Sequence, residues 1–94
     1  MPQQASLHAV VHGLVHGVNF RYSVMRHATE LGLTGYVRNN VRDRTVEVLA
    51  EGDRDRLQQL LEYLKVGPRA ARVERVDVDW LSYTGAFPSF DIRF

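Results

Sequence analysis

A chain of 94 residues holds enough material for one hydrophobic core and not for two, so a single domain over residues 1–94 is expected. A formal net charge of +1 spreads no field that would draw in nucleic acid or an anionic membrane, so any anion binding has to be built locally. The absence of cysteine excludes disulfides, thiolate nucleophiles and thiolate zinc sites. The one lysine, Lys65, falls in a polar position late in a helical pattern, a poor place for Schiff-base chemistry.

Met1 to Ser6 has neither the basic start nor the apolar centre of a signal peptide, and no apolar run approaches the roughly 18 residues of a membrane span; a cytoplasmic location without a membrane partner is expected. Leu7 to Gly13 is apolar and β-branched, which predicts a first strand in mid-sheet, buried on both faces if central. It runs into Gly13-Leu14-Val15-His16-Gly17-Val18-Asn19-Phe20-Arg21, where two glycines let the backbone turn tightly and bring its N–H groups near a ligand. Phe20, Val24, Ala28 and Leu31 then mark one face of a helix over roughly residues 21–32, with Gly32 placed to stop it.

A helix start adds unpaired N–H groups and the positive end of a dipole. Arg21 stands at that end, where a cation costs a few tenths of a kcal/mol up to about 1, and a bound anion would reverse the cost. The loop is thus a candidate anion cradle.

Gly35 to Asn39 reads as a second strand and residues 39–44 as a turn. Val46, Val48 and Ala50 alternate with Glu47 in a third strand, so the two form a hairpin. Asp53 offers an N-cap for a second helix over roughly residues 54–66, striped by Leu57, Leu60, Leu61 and Leu64 and closed by Gly67-Pro68. Val76, Val78 and Trp80 alternate in a fourth strand, and Phe90, Ile92 and Phe94 in a short last one. The leucine stripe, Trp80 and the terminal phenylalanines are most economically core. The order β-α-β-β-α-β with an extra C-terminal strand predicts an α+β, ferredoxin-like α/β sandwich, two helices on one face of a mainly antiparallel sheet.

His8, His12 and His16 lie four apart, but in strand and loop His8 and His12 would be about 13 Å apart, too far to share a zinc ion. No metal is expected. Taken alone, Arg38 reads as a solvated strand charge, and Asn39 as a turn residue before a hairpin.

Val11-His12-Gly13-Leu14-Val15-His16-Gly17-Val18-Asn19-Phe20-Arg21, followed by Gly35-Tyr36-Val37-Arg38-Asn39, resembles the acylphosphatase signature V-x-G-x-V-Q-G-V-x-F-R and G-W-V-x-N. Leu31-Gly32-Leu33, Thr45-Val46-Glu47-Val48, Glu51-Gly52 and Gly67-Pro68 extend the match over about residues 6–94. The resemblance implies the ferredoxin-like fold and a hydrolase of small-molecule acyl phosphates. It also implies that Arg21 is the phosphate-binding catalytic residue and that Asn39 holds the attacking water. The backbone N–H groups of Val15, His16, Gly17, Val18, Asn19 and Phe20 would complete the phosphate site, with a bidentate guanidinium beside them.

No Walker-type lysine, carboxylate cluster for magnesium, or nucleophilic serine or cysteine accompanies the loop. An acyl phosphate tolerates that lack, because its leaving carboxylate has a conjugate acid of pKa about 4 and departs without a general acid. Selectivity for acyl phosphates over monoesters is expected, with no cofactor and a monomer as the default. Three departures from the signature stand out. His16 replaces glutamine and brings a group that titrates near neutrality; Tyr36 replaces tryptophan; Arg44 stands where glycine is common.

A non-catalytic regulatory domain that binds a phosphorylated metabolite would use the same cradle, and Asn39 is the residue that separates the two readings. An RNA-recognition domain shares the element order but stacks bases on strand aromatics, and Leu7–Gly13 and Thr45–Glu51 contain none. An acylphosphatase-like domain of larger maturation factors is disfavoured by the missing zinc-finger cysteines. The physiological acyl phosphate is not written in the sequence.

Overall fold

The computed structural model of the chain describes residues 3–94. The elements follow in the order β1 (Gln4–Leu14), α1 (Phe20–Glu30), β2 (Thr34–Asn40), β3 (Thr45–Asp53), α2 (Arg54–Leu64), β4 (Arg72–Leu81) and β5 (Phe90–Arg93). The strands form one sheet in the order β4-β1-β3-β2-β5, antiparallel throughout except for the parallel pair β2 and β5. This is the ferredoxin-like sandwich with an added terminal strand.

The helices form where the apolar spacing demands them. Phe20, Val24 and Ala28 are buried along α1, and Leu57, Leu60, Leu61 and Leu64 along α2. Each fully buried leucine of that stripe contributes about 1.5–3 kcal/mol. Asp53 caps α2 by accepting from Asp55 N at 2.9 Å. α1 ends two residues before the expected stop, because the amides of Gly32 and Leu33 turn back onto Thr29 O and Ala28 O at 3.0 and 2.9 Å. α2 likewise stops at Leu64, where Gly67 N closes onto Tyr63 O at 2.8 Å.

Leu7, Ala9 and Val11 of β1 face the helices and are fully buried beside Val46, Val48 and Ala50 of β3. The expectation that β1 is buried on both faces is corrected: on the other side Ser6 is buried, but His8, Val10 and His12 are only partly so. There His8 Nε2 meets Glu47 Oε2 and His12 Nε2 meets Asp77 Oδ2, each at 2.8 Å. Arg38 is not merely solvated; its Nε donates to Glu47 Oε1 at 2.6 Å. Partial burial raises the Glu47 carboxyl's pKa, but its bonds to His8 and Arg38 outweigh this and hold it below the usual range.

Trp80 is only partly buried and carries the Arg54 guanidinium 4.0 Å from its ring centre. Tyr36 lies on the open face with the Arg93 guanidinium 4.3 Å above it. α1 lies over β2 and β5, and α2 over β1 and β3. That division brings the start of α1, the end of β2 and the end of β5 to one place.

Candidate active site

β1 delivers the chain into the loop through an irregularity. Its register with β4 shifts between His12 and Gly13, and a side chain at Gly13 would put Cβ 2.0 Å from the carbonyl of Arg72. Gly13 therefore serves the close approach of two backbones. Gly17 serves another need: its φ of +70° is left-handed, and a Cβ there would meet nothing within 4 Å. Asn19, the N-cap of α1, is also left-handed at φ 64°, and its side chain caps nothing.

Left-handed residues within a tight turn fold successive amides around a concavity, an arrangement suited to anions. The first amide after β1 to find a carbonyl is that of Ser23, which donates to Asn19 O at 3.1 Å. Among the described residues, the amides of residues 15–22 have no such partner, and those at the helix start carry the positive end of its dipole.

A pocket of about 290 Å³ opens against this loop, walled by Val15, Gly17, Asn19 and Phe20. Arg21 and Tyr22 of α1 and Asn39 of β2 line it as well. Among the described residues, no carboxylate lies within 4.0 Å of the Arg21 guanidinium. Asn39 Oδ1 is buried with no hydrogen-bond partner there. Such an acceptor costs about 1–3 kcal/mol while it stays unsatisfied. A partly buried cation, loop residues with unpaired amides and the asparagine that carries the orphaned acceptor thus line one space large enough for a phosphoryl group and a water molecule.

The acylphosphatase family model matches residues 7–92. An acylphosphatase of Acaryochloris marina is 48% identical, with 98% of this chain and 97% of the relative covered. One from Caldanaerobacter subterraneus subsp. tengcongensis is 45% identical, over 93% and 96%. The crystal structure of an acylphosphatase from Bacillus subtilis superposes with a TM-score of 0.91 at 33% identity, covering 96% of this chain and 99% of that one. The chain belongs to the acylphosphatase family.

The pocket gathers Arg21, Asn39, Val15, Gly17, Asn19 and Phe20 from the expected set and leaves out two. Val18 packs against the core, and His16 turns to donate from Nε2 to Thr45 O at 2.7 Å. Three lining residues had no signal in the sequence: Tyr22, Ile92 and Phe94. The reading of Phe94 as core is corrected, since it is 98% exposed and its ring centre lies 4.9 Å from Arg21 Cζ. Phe90, by contrast, is buried. Strand alternation puts residues 90, 92 and 94 on one face of this edge strand, but burial falls along it from Phe90 through Ile92 to Phe94.

Proposed function

We propose that this chain hydrolyses the carboxyl–phosphate anhydride of acyl phosphates, giving a carboxylate and inorganic phosphate. The observation that carries the reading is one pocket lined by Arg21, by the loop with its unpaired amides and by Asn39, whose buried Oδ1 has no partner among the described residues. The Arg21 guanidinium and the amides of residues 15–20 hold the phosphoryl oxygens, which carry charge that deepens in the transition state. Asn39 Oδ1 accepts a hydrogen bond from the attacking water and aims its oxygen at phosphorus.

The water oxygen bonds to phosphorus as the bridging P–O bond breaks, and both electrons of that bond leave with the carboxylate. The water's proton passes to a phosphoryl oxygen of the substrate. The leaving carboxylate needs no acid, so the site works by position and charge alone. A monoester expels a far more basic alkoxide and gains little here. On this proposal the active unit is a monomer in the cytoplasm.

Phosphate release from benzoyl phosphate, with a chelator present, tests the reading in the parent, Arg21→Ala and Asn39→Ala proteins. The parent turns over, Arg21→Ala loses both turnover and inhibition by inorganic phosphate, and Asn39→Ala loses turnover while inorganic phosphate still binds. Turnover surviving in Asn39→Ala would leave a phosphate binder whose hydrolysis is not centred here.

A further inference from the structure

The pocket at the phosphate loop has a neighbour across Tyr22. A second concavity of about 280 Å³ opens on the other side of that residue; Asn19 and Tyr22 line both, and Ser23, Arg26, His27, Glu30 and Pro68 complete the second. Residues 19, 22, 26 and 30 succeed one another at intervals of three and four, so this space is a groove following one face of α1 away from its start. A group attached to phosphorus in the first pocket has a path along it.

We propose that the groove is the acyl-group subsite, and that Arg26 favours acyl phosphates whose acyl group ends in a second negative charge such as a carboxylate. The inference rests on the hydrolase reading above and adds its substrate class. Helix rise sets the reach: Arg26 lies four residues beyond Tyr22, about 6 Å along the axis. A benzene ring with para substituents spans a similar length.

The floor of the groove is fixed. His27 stacks on Tyr63 with ring centroids 3.6 Å apart, its Nδ1 donates to Ser23 O at 3.1 Å, and the Ser23 hydroxyl bonds the Tyr63 hydroxyl. With that wall held, the substrate contact that can vary is the guanidinium. Among the described residues Arg26 pairs only with Glu30, at 3.8 Å, and the two side chains are 62% and 67% exposed. A pair so open is worth little and yields to a better anion. Glu30 lies a further turn along, so an anion reaching beyond Arg26 meets a like charge. The groove thus selects for length as well as sign, and shorter apolar acyl groups contact Tyr22 alone.

The test compares kcat/KM for benzoyl phosphate and 4-carboxybenzoyl phosphate in the parent, Arg26→Gln and Glu30→Gln proteins, with thermal unfolding of each. Both substitutions lie on an exposed helix face, and folding is retained. The parent favours the carboxylated substrate. Arg26→Gln lowers that selectivity ratio about fivefold, mainly through KM, and Glu30→Gln raises it about twofold. A parent that hydrolyses both substrates, with a ratio that Arg26→Gln leaves unmoved, overturns this inference alone. A parent that hydrolyses neither overturns the hydrolase reading and this inference with it.

Discussion

His16 Nε2 donates to the carbonyl of Thr45 at 2.7 Å, and Thr45 pairs in the hairpin with Asn40, the residue after Asn39. One side-chain bond therefore holds the phosphate loop in register with the strand that carries the carboxamide. A glutamine carries an equivalent N–H, so His16→Gln should keep the anchor, and with it kcat/KM. His16→Ala removes it, at a cost of about 1 kcal/mol in stability and up to about fivefold in kcat/KM. The ring N–H and the glutamine N–H serve the same bond to the Thr45 carbonyl. The pH–rate profile of His16→Gln between about pH 5 and 8 should accordingly match the parent's, and a divergence would assign His16 a further role.

Asn39 should show function and stability in opposition. Its Oδ1 has no partner among the described residues, so the folded protein carries a desolvated acceptor. Asn39→Ala removes that penalty of about 1–3 kcal/mol, offset in part by lost packing, and should lose turnover with no fall in Tm. Thermal unfolding beside benzoyl phosphate turnover measures both.

Phe94 supports Arg21 from outside the core. An exposed cation–π contact is worth about 0.5–1 kcal/mol, so Phe94→Ala should weaken inhibition by inorganic phosphate about two- to fivefold. Because the ring is 98% exposed, the Tm should hardly move.

Arg44 sits at φ 59°, in the left-handed region, in the turn between β2 and β3. That conformation costs a side chain about 1–2 kcal/mol, while glycine loses more chain entropy on folding, about 0.4–1 kcal/mol. Arg44→Gly should therefore stabilise the protein by up to about 1 kcal/mol, or a few degrees in Tm.

Glu51 is 1% exposed, and its carboxylate accepts from Thr84 N, Thr84 Oγ1 and Gly85 N at 2.9–3.1 Å. Desolvation pushes its pKa up, but these bonds outweigh it and hold the carboxyl below its usual 4.5. A depressed folded-state pKa gives stability that is present above the unfolded value and lost as pH falls through the folded one. Urea unfolding should show stability dropping below about pH 4.5, in part through Glu51. Glu51→Gln should flatten that drop and cost about 1–3 kcal/mol at neutral pH, because an amide group then faces the donors of residues 84 and 85.

The sequence by itself determined the elements and their order, because amphipathic spacing along α1, α2 and the strands is a local property of the chain. It also marked Arg21 and Asn39, since the glycine-flanked loop and the hairpin strand are contiguous motifs. The tertiary structure decided what lies between them. His16 meets Thr45, Phe94 meets Arg21, and Tyr22 divides two cavities, only because α1 packs over β2 and β5. The ends of strands deviated for the same reason: β1 reaches back to Gln4 by pairing with β3 and on to Leu14 by pairing with β4, and backbone pairing leaves no trace in side-chain periodicity. Contacts between residues distant in the chain depend on which helix covers which strands, and no local pattern encodes that.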